Sequence, residues 1–260
     1  MTKTNKFFLS ALTAVMILLP LSSQAAETWP SVSEMWTMVP KADQGDEFFK
    51  GLKEHMEFRS ENGDPWVWKT YTPMMGDDVN LVAVRVCCFN WADADTYREW
   101  SEANPQVGEH FNKHVGAHVE KYGHHYSEVS WANSNIKSEW GPYRYFAVTE
   151  FTVKPGRRGE FDESRDAISQ ISLNQGWATE DRPWMWARSV GGESSESIVI
   201  PMKNMADMDR DDQNFFNFMS KVMGSDEAAD ELFGKLAATV ATRDFQIWQL
   251  HEDLSMKDKD

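Results

Sequence analysis

The sequence predicts an α+β protein made of two copies of one β-α-β-β-α-β unit, the ferredoxin-like order of elements. Six segments recur in the same order at a spacing of about 113 to 119 residues, which is longer than a solenoid repeat and suits a duplicated domain. Within each copy, short apolar runs alternate with segments of helical periodicity. We place the two units at residues 34–133 and 144–252.

The first strand and the first helix are similar in the two copies. Residues 36–40 (WTMVP) correspond to residues 151–155 (FTVKP) in the strand. Residues 45–48 (GDEF) then correspond to residues 158–161 (RGEF), where each helix begins. Apolar residues follow at helical spacing, and each helix runs into a glycine. These residues are Phe49, Leu52 and Met56 before Gly63, and Phe161, Ile168 and Ile171 before Gly176.

Paired tryptophans mark the second strand. Residues 64–68 (DPWVW) correspond to residues 182–186 (RPWMW), so two tryptophans two positions apart share one face of a strand in each copy. A third strand follows at residues 81–88 and 197–202. Chance would rarely place the tryptophan pair twice in register, and the duplication rests mainly on this match.

A helical region broken once in the middle follows the third strand. It begins at residues 90–95 (NWADAD) and 204–209 (NMADMD). The break lies at residues 104–105, an asparagine N-cap followed by proline, and at residues 224–225, a glycine followed by serine. Each half of the region is therefore predicted to be a separate helix.

Each copy ends in a strand, at residues 126–131 and 245–250, and the acidic segment after Glu252 is predicted to be a solvated end. A four-stranded sheet with helices on one face leaves its other face apolar, so the two units should cover each other sheet to sheet. The sequence therefore predicts a pseudo-dimeric α+β barrel within one chain.

This order of elements, with FTVKPG at residues 151–156 followed by Glu160 and Phe161, resembles the dimeric α+β barrel superfamily, which includes the antibiotic-biosynthesis monooxygenase-like proteins. The resemblance covers nearly all of residues 34–252. It implies the barrel fold. For function it implies several classes, because the superfamily contains cofactor-free oxygenases, haem enzymes, isomerases and proteins without known activity.

The N-terminal residues have the order of a secretory signal peptide at residues 1–25. Lys3 and Lys6 precede an apolar run of about fifteen residues, which is shorter than the roughly 20 of a membrane-spanning helix. Cleavage after Ala25 predicts a periplasmic or secreted protein and changes the net charge from −15 to −17. This charge disfavours nucleic acid and anionic membranes as partners. We expect a small-molecule ligand and a monomer or homodimer.

Cys87 and Cys88 are the two cysteines of the chain. In a regular strand their side chains point to opposite faces, which predicts two buried free thiols. A vicinal disulfide acting as a redox switch is the alternative, although adjacent sulfurs rarely meet bridging geometry.

Five of the seven histidines lie between positions 110 and 125. His110, His114 and His118 are spaced four residues apart after Pro105 and are predicted to form one row on a helix. Neighbours in the row could share a metal ion, and the alternative is a solvated polar edge of an amphipathic helix.

Trp100 and His110 lie ten residues apart across the predicted helix break. With Lys113-His114-Val115 following, this segment is similar to that of the bacterial haem-degrading monooxygenases of the superfamily. The resemblance implies catalytic roles for Trp100 and His110, with His110 as the metal ligand and haem as a candidate cofactor. Those proteins also use an asparagine in the first strand, and residues 35–39 contain none.

The four paired tryptophans allow two interpretations. Facing the barrel interior, they would clamp an aromatic or polycyclic ligand, whereas under the helices they would be core. The four residues are Trp66, Trp68, Trp184 and Trp186.

Arg85 lies in an otherwise apolar strand, on the opposite face from Val84 and Val86. It is therefore expected to point to the barrel interior or its mouth and to be a candidate ligand-binding residue. A buried arginine needs an anionic partner, which would be Glu150 or a ligand carboxylate.

Two functional hypotheses follow from the sequence. The first is an exported oxygenase-like enzyme that acts on an aromatic small molecule or on haem, in a pocket between sheet and helices of the first copy. The second is a non-catalytic protein that binds an apolar ligand or a protein partner. No nucleophile elbow, phosphate loop or dinucleotide fingerprint is present to favour a hydrolase or a kinase.

Overall fold

The computed structural model describes residues 29–136, 141–191, 194–209 and 214–258. The predicted signal peptide lies outside these residues. The first half contains, in chain order, β1 (Val32–Pro40), α1 (Gly45–Glu61), β2 (Lys69–Met75), β3 (Val82–Phe89), α2 (Trp91–Ala103), α3 (Pro105–His114) and β4 (Val119–Val129). The second half contains β5 (Tyr145–Val153), α4 (Arg158–Asn174), β6 (Met185–Val190), β7 (Ser195–Met202), α5 (Phe215–Met223), α6 (Asp226–Ala238) and β8 (Val240–His251).

The eight strands form a closed antiparallel barrel in the order β1-β3-β2-β8-β5-β7-β6-β4. Each half contributes four strands in the same internal order, β4-β1-β3-β2 and β8-β5-β7-β6. The halves are joined where β2 pairs with β8 and β4 pairs with β6. The predicted α+β barrel of two ferredoxin-like units is confirmed, and the unit boundaries at residues 34–133 and 144–252 stay predictions.

The helices of the first half begin and end where the local sequence favours it. In α1, Phe48, Leu52 and Met56 repeat every four residues and are all buried against the sheet. Asn90 and Asp93 form a capping box at the start of α2, and Pro105 occupies the first turn of α3. The predicted helix break is confirmed.

The prediction that three histidines form one row on a helix is wrong for His118. Helix α3 ends at His114, and His118 lies in a 3₁₀ turn, Gly116–His118. Glycine at position 116 favours leaving the helix, and Val119 already belongs to β4. The last strand of each half also begins earlier than predicted, because charged residues such as Glu120 conceal the strand pattern.

Apolar clusters lie on both sides of the sheet. Val82, Val84 and Val86 of β3 pack under the helices of the first half, whereas Ala83 and Cys87 belong to the cluster inside the barrel. The predicted facing of this strand is confirmed. The interior cluster draws on strands of both halves: Tyr71, Ala83, Val129, Phe146, Met185, Ala187 and Val199.

Cys87 and Cys88 form a disulfide, so the prediction of two free thiols is wrong. That prediction assumed a regular strand. The pairing of β1 with β3 shifts here, since Val32 lies opposite Phe89 and Ser33 lies opposite Cys87. Cys88 is therefore the extra residue of a β-bulge, where strict alternation of side chains fails.

The segment after β8 packs on the first half rather than into solvent, which corrects the predicted solvated end. Leu254 and Met256 are buried, and the Met256 N–H donates to the Trp68 carbonyl oxygen at 2.9 Å. The Thr70 hydroxyl donates to the Leu254 carbonyl oxygen at 2.6 Å. Two apolar residues in an acidic segment suffice to anchor it. Within the described ranges, none of the helices has the length and apolar character needed to cross a membrane.

Candidate functional site

A cavity of about 440 Å³ lies in the first half, between the outer face of the sheet and helices α1, α2 and α3. Its volume is within the range of about 300–1,000 Å³ that is usual for small-molecule sites. Six aromatic side chains contribute to its wall: Trp36, Trp66, Trp68, Tyr97, Phe111 and Tyr126. Two groups of polar side chains face the cavity as well, one around Arg59 and one around Glu34.

Stacked rings fix the aromatic wall. The ring centroids of Trp66 and Tyr97 are 3.7 Å apart with an interplanar angle of 4°, and Trp66 also stacks on Phe89 at 4.4 Å. Trp68 is buried, and its indole N–H donates to the Tyr97 hydroxyl at 3.3 Å. Tryptophan and tyrosine present rigid apolar surface at low entropic cost, which suits recognition of a planar ligand.

The first polar group surrounds Arg59 on α1. Its guanidinium contacts the fully buried carboxylate of Asp64 and donates to the Tyr97 hydroxyl at 2.8 Å. Burial, followed by the negative charge of Asp64, raises the pKa of Tyr97 to about 12 despite the lowering effect of Arg59. Tyr97 is therefore a neutral phenol at physiological pH, and the Arg59 charge is balanced inside the wall.

A pair of histidines extends this group towards the surface. Arg59 Nε donates to His55 Nε2 at 3.0 Å, so neutral His55 carries its proton on Nδ1. His55 Nδ1 lies 3.2 Å from His110 Nδ1, and His110 must then accept there and carry its own proton on Nε2. Burial first, and then the positive charge of Arg59, lowers the pKa of His55 to about 3.

The second polar group lies at the β1–β4 side of the cavity. Glu34 is 7% exposed, and its Oε1 accepts from Trp36 Nε1 at 2.8 Å and is 2.9 Å from His124 Nε2. The Trp36 and His124 rings stack at 4.0 Å between directly paired strand positions. Tyr126 lies beside them, and burial followed by the Glu34 charge raises its pKa.

Trp100 and His110, the predicted catalytic residues, lie one layer behind the cavity wall. Trp100 stacks on Tyr97 at 5.5 Å, and His110 contacts His55. Both are half-buried, and neither lines the cavity. Their functional roles stay predictions, and the structure brings them close to the cavity without bringing them into it.

The residues present do not fit a haem ligated by His110. A metal-binding imidazole needs a lone pair on the ligating nitrogen, but the hydrogen bonds around His55 place a proton on His110 Nε2. His110 Nδ1 is engaged with His55, and the rings of Phe58 and His114 stack on the two sides at 4.2 Å. Among the described residues, no three His, Cys, Asp or Glu side chains are grouped so as to hold a metal ion.

Solved structures of several proteins are similar to this one. A proposed monooxygenase from Lactobacillus acidophilus NCFM superposes with a TM-score of 0.54 at 10% identity, covering 88% of this chain and 96% of that one. An anthrone oxidase-like protein gives 0.50 at 14% identity, with 86% and 92% covered. A mutant chlorite dismutase from Candidatus Nitrospira defluvii gives 0.52 at 12% identity, with 87% and 95% covered.

The chain has the dimeric α+β barrel fold. No protein-family model and no curated protein sequence matches it. At this level of identity the similarity concerns the fold, so the function has to be argued from the site itself.

The second half of this dimeric α+β barrel does not repeat the cavity-facing residues. By the sequence match of the first helices, Ile168 and Ser172 stand where the first half has His55 and Arg59. Ile168 packs with Phe218 and Met219, and Trp177 covers the same cluster. The candidate site therefore belongs to the first half.

The two tryptophan pairs accordingly differ in their surroundings. Trp66 and Trp68 line the cavity, whereas Trp184 and Trp186 are buried under α4 with Phe161. All four lie on the helix side of the sheet, so the interpretation as core packing applies to the second pair. An indole clamp inside the barrel is not formed.

Arg85 is on the barrel side of β3, as predicted from the strand pattern. Burial lowers its pKa, while the nearby Tyr71 opposes that effect. Burial first, and then the charges of His124 and Arg85, lowers the pKa of His125 against the opposing effect of Glu150. Arg85 is therefore separated from the cavity by the sheet.

Sequence reasoning missed the residues that build the two polar groups. The spacing of His55, Arg59 and Asp64 along α1 and its following turn was a local signal. Glu34 was a second signal, since it replaces an apolar residue on the helix-facing side of β1, in line with Val32 and Met38.

Proposed function

We propose that the protein is an exported oxygenase-like protein whose first-half cavity binds a planar aromatic small molecule. The observation that carries this proposal is the aromatic wall, in which Trp66 and Tyr97 stack beside a cavity of about 440 Å³. One structural neighbour is named a monooxygenase and another an anthrone oxidase-like protein, and anthrone is a planar aromatic compound. Export is proposed from the signal at residues 1–25 and would allow the Cys87–Cys88 disulfide to form in an oxidising compartment.

The chemistry proposed is cofactor-free. A weakly acidic aromatic compound that loses a proton becomes electron-rich enough to be oxidised by dioxygen, which would be the second substrate. The cavity supplies apolar walls for the rings, and the polar side chains around Arg59 and Glu34 are available for the acidic group. Haem is the competing ligand, and ligation through His110 would require the His55–His110 hydrogen bond to break.

The test is binding and oxidation of anthrone by the purified mature protein. We expect quenching of tryptophan fluorescence on titration with anthrone and faster oxygen uptake than in buffer alone. Trp66→Leu should weaken binding roughly 2- to 10-fold, since it removes one stacking surface. Trp29→Leu is the matched control, because Trp29 is exposed and outside the cavity.

Three other outcomes would redirect the proposal. Binding without oxygen uptake would support a non-catalytic binding protein. A Soret band on titration with haemin, reaching one equivalent and lost in His110→Ala, would support the haem alternative. No binding of either compound would contradict the assignment of the cavity.

A further inference from the structure

Glu34 is a carboxylate more than nine-tenths buried on a strand face that otherwise packs against apolar residues. Burying a carboxylate is costly unless hydrogen bonds and charge compensate it. Its Oε1 receives the Trp36 indole N–H at 2.8 Å and faces His124 Nε2 at 2.9 Å. The compensation therefore comes from a histidine that is itself only partly buried and lines the cavity.

The contact with Glu34 assigns the tautomer of His124. A carboxylate accepts, so Nε2 must donate, and in the neutral ring the lone pair is on Nδ1. Stacking on Trp36 at 4.0 Å and 18° fixes the plane of the ring, and Tyr126 packs against it edge-on at 5.1 Å. A histidine held by a carboxylate on one nitrogen, with a lone pair on the other, is the usual arrangement of a general base.

We propose that Glu34 and His124 form an acid–base dyad in this cavity and that its ligand is a phenol or enol. This inference rests on the proposed function and names the substrate class and the residues. His124 Nδ1 accepts the proton of the ligand O–H: the O–H bond breaks, its electron pair stays on the ligand oxygen, and an N–H bond forms on His124. Glu34 is the positioning residue, since its charge stabilises the imidazolium that results. The step consumes no oxidant or reductant.

Another charged group near His124 also favours proton transfer from the ligand to His124. Arg98 of α2 lines the cavity, and its charge acts on Tyr126, so it would stabilise a ligand oxyanion near these residues. Its ion pair with Asp95 is long, at 3.5 Å, and exposed. His125, the next residue of β4, is also titratable and points to the barrel side of the strand. From α3, the uncharged Phe111 and Asn112 face the cavity.

The test uses 4-nitrophenol, whose ionised form absorbs visible light, with the full mature protein. Binding is measured by quenching of tryptophan fluorescence, and ionisation of the bound probe by its absorbance across pH 5 to 9. We expect the bound probe to ionise at lower pH than in water. In His124→Gln and Glu34→Gln, the titration of the probe that remains bound should return towards that of the probe in water.

His118→Gln is the matched control, because His118 lies outside the cavity and contacts Gln44. It should leave the probe titration unchanged. Binding without a shift in probe ionisation, or the same shift in all variants, would overturn the dyad and leave the proposed function standing. If the wild-type protein does not bind the probe at millimolar concentration, the proposed function fails and the dyad with it.

Discussion

His55 is held neutral first by burial and then by the positive charge of Arg59. Arg59 donates to one ring nitrogen and His110 faces the other, so protonation would place a second positive charge beside Arg59. Its pKa of about 3 lies below the ordinary value of 6.5 for the unfolded chain. Between these values the unfolded chain binds a proton that the folded chain does not, so the free energy of unfolding falls as pH decreases through this window.

His55→Gln should reduce this acid sensitivity. Glutamine can still accept from Arg59 and donate to His110, but it takes up no proton. Relative to the variant, the wild type should lose about 2–3 kcal/mol more stability between pH 7 and pH 4.5. Urea unfolding at both pH values measures the difference. His118→Gln should keep the wild-type dependence, and an equal loss in His55→Gln would contradict the assignment of a neutral, buried ring.

Single residues also show which features the sequence could predict and which it could not. Arg85 was placed on the barrel side correctly because strand alternation is a local rule. The Glu34–His124 contact depends on the register of β1 against β4, residues about 90 positions apart, which no local pattern contains. His110 was singled out in place of His55, because a surface row of histidines is visible in the sequence and a buried one is not.

Among the elements, α1 and α3 approach unusually closely at Gly51. A methyl group built on Gly51 would lie only 1.7 Å from the His114 carbonyl oxygen, at the last residue of α3. Glycine is required here because the backbones of α1 and α3 come close together, and not because of a special dihedral angle. The close contact holds the end of α3 against α1 and so fixes one wall of the cavity.

Gly51→Ala should therefore destabilise the protein by about 1–3 kcal/mol, even though alanine favours helix formation. Gly234→Ala in α6 is the matched control, because a methyl group there has no neighbour within 4 Å. That variant should be neutral or up to about 1 kcal/mol more stable. Thermal unfolding of the two variants decides the point, and equal effects would show that α3 can move away without cost.

The order of the helices and strands could be predicted, whereas some of their irregularities and boundaries could not, for a physical reason. The tryptophan pairs, the capping motifs and the helix breaks are local signals, and they placed the strands and helices of both halves in order. The predicted position of the pairs within a strand is wrong for Trp66, Trp68 and Trp184, which lie before β2 and β6. The bulge at Cys88 is set by pairing with β1, and alternation within β3 alone could not reveal it. The early start of β4 was missed because charged residues such as Glu120 hide its alternation, so that only the pairing with β1 defines it.

For the whole molecule, neither half closes a sheet by itself. Strands β2 and β4 would be open edges without β8 and β6, and the interior cluster draws on both halves. Residues 26–140 and 141–260 produced separately should aggregate or remain largely unfolded. Refolded together, they should recover a soluble complex of one copy each, measured by size-exclusion chromatography with light scattering. A soluble, cooperatively folded single half would contradict this expectation.

The burial of Leu254 and Met256 against the first half has a consequence for the order in which the chain matures. A polypeptide that emerges from its N-terminus has made Trp68 long before the segment that covers it. The first half therefore cannot complete its packing during synthesis until residues 254–256 have been made. We expect chains that stop before Leu254 to expose the aromatic surface around Trp68 and to be cleaved more readily by proteases.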